Sequence, residues 1–196
     1  MSEKLKLLLH SCCGPCSTAV IERLLESDEY DITVFYSNSN ITDREEYEHR
    51  KNEEIRFIKE YSEKNNVHID FVEGDYNPRA YFELVSGYEK EPEGGLRCSI
   101  CFSMRLEETV RYAKEHGFEC FDTTLTVSPY KSYDVISNIA EQISKKYEIS
   151  YLSGNYKKKE GYKRSIELSK EYGLYRQHFC GCEFSKQSAN KENEVR

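Results

Sequence analysis

Seven of the eight cysteines in this 196-residue chain fall into three short groups, and those groups are where chemistry could be done. His10-Ser11-Cys12-Cys13-Gly14-Pro15-Cys16 comes first, Arg97-Cys98-Ser99-Ile100-Cys101 second and Cys180-Gly181-Cys182 last, with Cys120 alone between them. Cysteines three positions apart reach one metal where the backbone turns, and a cluster draws about four thiolates from separate segments. The first two groups supply that number. An all-thiolate zinc site is the competing reading. Two features favour iron-sulfur: adjacent Cys12 and Cys13 suit a zinc knuckle poorly, and more cysteines are present than one closed tetrahedral site uses. A disulfide closed over a single residue would be strained and easily reduced, so Cys180 and Cys182 read as a redox pair or as ligands to an extra metal, the bland alternative being two ordinary thiols. Cys120, in an apolar stretch, reads as a core residue. His10 is either a hydrogen-bonding neighbour of the metal or a satisfied strand-end histidine, and His178 stands two residues before Cys180.

The elements around these groups alternate. Leu5 to His10 reads as a buried strand, followed by the cysteine turn and a helix capped by Ser17. Asp31 to Ser37 and Val67 to Val72 read as strands two and three, separated by a charged helix that Thr42 or Asp43 would cap, with a sparse stripe of Tyr47, Ile55, Ile58 and Tyr61. Helices over 99–115, 133–147 and 161–172 and strands over 120–125 and 150–155 complete the pattern. Alternation of this kind predicts an α/β fold, a Rossmann-like parallel sheet with helices on both faces and its ligand crevice at the carboxyl edge. Cys12 to Cys16 would sit on that edge, at a helix N-terminus whose partial positive charge favours thiolates. One domain is expected over 1–184, with 185–196 a polar, flexible tail.

Composition narrows the setting. Mean hydropathy is −0.78 and the apolar runs are short, so no membrane span is expected, and the N-terminus lacks the pattern of a secretory leader. The expected location is the cytoplasm, where structural disulfides are disfavoured and eight cysteines point to metal or catalysis. A formal charge of −7 argues against a non-specific nucleic-acid coat. From Tyr151 onward, however, ten Lys and Arg stand against six Glu, a local +4. Lys157 to Lys159, Tyr156, Tyr162, Lys163 and Arg164 have the make-up of an RNA-binding patch, or equally of a solvated helix face.

Four motifs in order, HSCCGPC at 10–16, EPEGGLRCSICFSMRL at 91–106, TTLTVSPYKS at 123–132 and YRQHFCGC at 175–182, resemble the cobalamin-independent epoxyqueuosine reductases. The match spans most of the chain and departs at Phe179, where the family pattern expects Tyr. The resemblance implies a sheet of the adenine-nucleotide alpha-hydrolase type whose nucleotide loop has been reworked to hold metal. SCCGPCS indeed stands where a Ser-Gly-Gly-x-Asp-Ser loop would. The implied activity is the last step of queuosine synthesis, two-electron reduction of an epoxide at the tRNA wobble position. By the same resemblance Cys12, Cys13, Cys98 and Cys101 would hold a 4Fe-4S cluster, Cys180 and Cys182 would be redox-active, and Cys16 would be a spare ligand near a possible second iron. Proton donors would come from His178, Tyr130 or water, and substrate contacts from Tyr130, Lys131, Arg176 and Gln177. The partners expected are epoxyqueuosine tRNA and an electron donor that the sequence does not name; it does not give the oligomeric state either. The rival classes are an ATP-dependent tRNA-thiolating enzyme and a zinc-stabilised tRNA-binding module.

Overall fold

The structure, a computed structural model, describes residues 4–194. Five parallel strands, β1 (Leu5–Ser11), β2 (Tyr30–Tyr36), β3 (Asp70–Glu73), β4 (Cys120–Thr123) and β5 (Ser150–Tyr151), lie in the order β3-β2-β1-β4-β5. Between them run α1 (Gly14–Glu26), α2 (Arg44–Asn65), α3 (Pro78–Leu84), α4 (Leu96–Glu115) and α5 (Tyr133–Tyr147), followed by α6 (Gly161–Glu171) and α7 (Glu183–Glu194). This is the doubly wound α/β sheet that the alternation predicts.

The middle strand shows why both faces are covered. Leu7, Leu8 and Leu9 have no solvent exposure. Leu7 and Leu9 pack with Val20, Ile21 and Leu24 of α1 and Phe57 and Ile58 of α2, whereas Leu8 joins Phe35 and Ala113 of α4 on the other side. A period of two distributes one apolar run between two cores, as central parallel strands require. Each such leucine contributes about 2 kcal/mol by burial. A second core, Phe102, Leu106 and Val110 of α4 with Ile136 and Ala140 of α5, closes over Phe121 of β4.

Strand order reverses between β1 and β4, and the crevice beyond their carboxyl ends is where a doubly wound sheet holds its ligand. Register fixes the place: His10 pairs with Thr123 and with Phe35, so the residues that leave β1 and β4 emerge side by side.

Several elements differ from expectation. Helix α1 begins at Gly14, with Cys13 as its N-cap and Pro15 in its first turn, because proline needs no donor there and its φ already suits a helix. Ser17 is thus inside the helix, donating to the Gly14 carbonyl at 2.9 Å. Asp43 caps α2, accepting from the backbone of Glu45 and Glu46. The buried face of α2 is Tyr47, Arg50, Glu54, Phe57, Ile58 and Tyr61, while Ile55 is exposed. Asn77 caps α3, its side chain accepting from the Ala80 amide. The polar tail is helical from Glu183 through Glu194: Ser185 is buried, Phe184 packs at the edge of the Tyr81 and Val85 cluster, and Lys186 pairs with Asp43 at 2.9 Å. Those anchors give the segment a partner surface that its polar composition concealed; residues 195–196 lie outside the described residues.

Candidate metal and redox centre

Cys12 leaves β1 at the switch point and Cys13 caps α1, so strand end, two thiols and helix N-terminus follow one another directly. The Cys12, Cys13 and Cys16 Sγ atoms lie within 4.8 Å of one another, with Cys12 and Cys13 at 3.8 Å. Cys12 is tied to the neighbouring strand end, its amide donating to Thr124 Oγ1 at 3.3 Å and the Thr124 hydroxyl donating to its sulfur at 3.7 Å. Hydrogen bonds from Cys13 and Cys16 hold the Cys12 thiol well below its usual pKa. The same bonds, with burial, push Cys13 up to about 12 and Cys16 up as well, so deprotonation within the group is biased toward Cys12. A soft cation takes such a set by displacing the remaining protons. The donor chemistry, three thiols converging with no carboxylate among them, fits iron-sulfur or zinc.

Two cations stand near the sulfur, Arg105 buried and Lys131 half-buried. Arg105 of α4 is 1% exposed; its Nη2 donates to Asn38 Oδ1 at 2.5 Å and its Nε to the Ser37 carbonyl at 3.4 Å. Burial opposes its charge, but Cys101, Cys12 and Cys180 together hold it firmly protonated. Lys131 is likewise disfavoured by burial and raised by Cys180, Cys12 and Cys16. One guanidinium and one ammonium therefore stand among thiols from three distant segments. His10 bridges the two strand ends, Nδ1 lying 2.8 Å from Thr123 Oγ1, and burial with the Arg105 charge depresses it to about 3. It is a neutral strut.

The remaining cysteines of the three groups come from α4 and from the loop before α7. Cys101 and Cys182, 5% and 7% exposed, pack with Tyr81 and Val85. Burial pushes Cys101 up to about 12 and raises Cys182. Cys98 sits in the first turn of α4 and accepts the Gly94 amide at 3.2 Å. Cys16, rather than Cys98 or Cys101, thus joins Cys12 and Cys13 in the tight group. Cys120 is a buried core residue of β4.

A cavity of about 680 Å³ opens over the centre. Cys12, Cys16 and Cys180 line it, as do Tyr130, Lys131, Arg176, Gln177 and His178. Tyr130 is 80% exposed at its mouth. Gln177 turns inward, its Nε2 donating to Cys13 Sγ at 2.8 Å, and Arg176 bonds Ser169 Oγ at 3.1 Å beside the Tyr162 ring. The basic patch is only partly available: Tyr156 is buried and donates to Asp122 Oδ2 at 2.6 Å, Arg164 pairs with Glu22, and Lys157 is held at the Lys131 carbonyl. Lys158, Lys159 and Lys163 remain exposed.

Comparison with known proteins adds the decisive finding: residues 7–188 match the family model described as Epoxyqueuosine reductase QueH. The chain belongs to the QueH family. The Epoxyqueuosine reductase QueH of Streptococcus pyogenes serotype M1 is 42% identical over 179 residues, covering 91% of this chain and 69% of that protein. The QueH of Thermotoga maritima is 34% identical over 182 residues, 91% and 89% respectively. Among solved structures, the U34-tRNA thiolase NcsA from Methanococcus maripaludis, determined with its [4Fe-4S] cluster, aligns at a TM-score of 0.53 with 13% identity, over 99% of this chain and 67% of that one. At that identity it shows a shared fold.

Within this QueH-family site, sequence reasoning overlooked Arg105, Arg50 and Glu54. Arg105 lies inside the second motif, four residues after Cys101, and that i, i+4 spacing placed it on the cysteine face of α4. Arg50 and Glu54 sat in a highly charged helix and gave no comparable signal.

Proposed function

We propose that this chain is an epoxyqueuosine reductase that reduces the epoxide of the modified wobble nucleotide in tRNA to an alkene. Two electrons and two protons enter, both carbon-oxygen bonds of the epoxide break, and the oxygen leaves as water. What carries the reading is the three-thiol group at the sheet's switch point, opening into a cavity that Arg105 and Lys131 line, in a chain of this family. Cys12 and Cys13, with Cys98 and Cys101 from α4, are the residues proposed to hold a 4Fe-4S cluster; Cys16 is proposed as the ligand nearest a second, adjacent iron. When bound, such a cluster supplies electrons singly from an external donor, and an open iron position acts as a Lewis acid toward the epoxide oxygen.

This chain's own side chains do the rest. Arg105 and Lys131 offset negative charge that builds on the sulfurs and on the departing oxygen. Cys180 and Cys182 are proposed as the redox pair or as ligands to the second iron. His178 and Tyr130, both at the cavity, are the proposed proton donors. Tyr130 is proposed to stack on an unpaired base, and Lys131, Arg176 and Gln177 are proposed to contact the anticodon loop. Residues 1–184 are proposed to act as one unit. No described helix is long and apolar enough to cross a membrane, and the proposed setting is the cytoplasm.

One observation favours a zinc-stabilised tRNA-binding module instead. The 3.8 Å between Cys12 and Cys13 Sγ equals the separation of about 3.8 Å expected for two sulfurs each about 2.3 Å from one tetrahedral zinc. Anoxic purification separates the two: the reductase is brown, contains iron and sulfide, and converts epoxyqueuosine tRNA to queuosine tRNA under a strong reductant, as read by nucleoside mass spectrometry. A colourless protein holding only zinc and leaving the epoxide intact would refute the reductase. Tight ATP binding with hydrolysis would instead support the thiolating class.

A further inference from the structure

Helix α2 buries two ionisable side chains that covering the sheet does not require. Arg50 is 2% exposed and Glu54 is fully buried, one turn apart on the same face. A buried charge persists only where its hydrogen bonds are made, so the partners of these two side chains reveal what they are for.

Arg50 pairs with Glu46 through Nε at 2.6 Å, which leaves its two terminal nitrogens free to act elsewhere. Nη1 donates to the Cys180 carbonyl at 3.0 Å and Nη2 to the Phe179 carbonyl at 3.3 Å, while the guanidinium lies 5.1 Å from the Phe179 ring centre. The planar fork of arginine thus holds two successive carbonyls, a pattern that a lysine ammonium cannot reproduce with fixed geometry. Gly181 completes the fit. It has φ +120, and a Cβ there would stand 3.2 Å from Arg50 Nη1 and 2.8 Å from Ile41 Cγ1. Glu54, one turn on, accepts from Ser11 Oγ at 2.9 Å, and Ser11 immediately precedes Cys12. A Cβ on Gly14 would lie 3.5 to 3.6 Å from the α2 backbone at Glu53 and Glu54, so the helix is in direct contact with the cysteine turn.

We propose that Arg50 is the positioning residue for the Cys180-Gly181-Cys182 loop and that, with Glu54, it makes α2 the gauge that sets where this loop stands relative to the Cys12 to Cys16 turn. The inference rests on the reading of these two segments as parts of one working centre. It assigns to side chains in the least motif-like helix a task that the cysteine motifs do not perform for themselves.

The test uses the full chain as Arg50→Met, Arg50→Lys and Glu54→Gln, each checked for cooperative unfolding by circular dichroism. Iodoacetamide alkylation of the metal-depleted proteins is followed cysteine by cysteine by mass spectrometry, and iron content and single-turnover tRNA reduction are measured on the reconstituted ones. With Arg50→Met, Cys180 and Cys182 are expected to react at least about tenfold faster while Cys12 and Cys98 stay within about twofold, because opening is local to the loop. Arg50→Lys falls between, and Glu54→Gln changes Cys12, Cys13 and Cys16 but not Cys180. Unchanged rates at Cys180 and Cys182 in a folded Arg50→Met protein overturn the proposal, as does uniform acceleration at every cysteine. If Arg50→Met does not fold, Arg50→Lys decides by the same two criteria. Failure of the wild-type protein to bind iron or reduce tRNA would remove the reductase reading and leave the alkylation result standing, so the two failures are told apart.

Discussion

Cys12 to Cys16 and Cys180 to Cys182 reach the same cavity by opposite constructions. The first segment continues a seven-residue strand that is in register with two neighbours and passes directly into a helix, so its thiols are placed by backbone hydrogen bonds and by the core beneath them. The second belongs to no strand and stands just before α7. Its backbone is held by side chains: Arg50 takes two carbonyls, Ser185 Oγ accepts the Cys180 amide at 2.9 Å, and the Ser185 amide donates to Cys182 Sγ at 3.4 Å. A segment placed by the sheet shares the stability of the whole domain, whereas one placed by a few side chains opens at lower cost. That contrast suits a rigid ligand turn and an adaptable second sulfur pair.

Removing one sulfur from each segment should break the comparison most visibly. Cys12→Ala is expected to abolish iron binding and with it all turnover. Cys182→Ala is expected to keep most of the iron while losing at least about a hundredfold in single-turnover rate. Equal iron loss in both variants would mean that the two segments are ligands of the same rank. Iron and sulfide analysis beside the tRNA assay reads both.

The buried acid under the turn gives the next largest effect. Burial raises Glu54 to about 7, against a hydrogen bond from Ser11 that lowers it. A carboxyl whose folded pKa lies above its unfolded value favours the folded state at low pH, and this advantage fades as pH rises from about 4.5 toward about 7. In metal-depleted protein, Glu54→Gln should remove a pH-dependent loss of up to about 3 kcal/mol across that window. Urea unfolding of the two proteins at pH 5 and pH 7.5 measures it, and parallel pH profiles would show that Glu54 does not titrate there.

The two glycines sharpen the contrast further. Gly181→Ala forces a side chain into a positive-φ site against Ile41 and should cost about 2 kcal/mol, with Cys180 and Cys182 becoming more reactive. Gly14→Ala meets only ordinary contacts in a helical first turn and should stay within about 1 kcal/mol of wild type. Thermal unfolding ranks them. The smallest effect is expected at Lys186, whose pair with Asp43 is about two-fifths exposed on both sides. Lys186→Ala should shift stability by less than about 1 kcal/mol.

Much of the fold was legible because its signals are local. β1 is an unbroken apolar run, α5 has Ser132 as its cap and a clean helical stripe, and Gly117 and Gly173 end their segments with φ values of +71 and +57. The cysteine groups were legible as chemistry for the same reason. What stayed hidden depends on neighbours far along the chain. Arg50 and Glu54 look like solvated charges until the loop at 179–181 and the turn at 11–14 arrive, and the helix at 183–194 looks like a loose tail until Phe184 and Lys186 meet their partners. Tyr156 misled in the other direction. Its position within a lysine run suggested an RNA platform, but Asp122, thirty-four residues away in sequence, draws it inside.

The clasp of α2 on the Phe179 and Cys180 carbonyls has a bearing on biogenesis. Chains emerge from the ribosome N-terminal end first, and their folded parts accrue in that order. β1, the first cysteine turn, α2 and α4 would all have been made well before residue 179 leaves the exit tunnel, so a nascent molecule presents five of its thiols around an unfilled notch with Arg50 still waiting for its carbonyls. Closure of the clasp by the last segment is then the latest folding event open to this centre, ordered by synthesis itself.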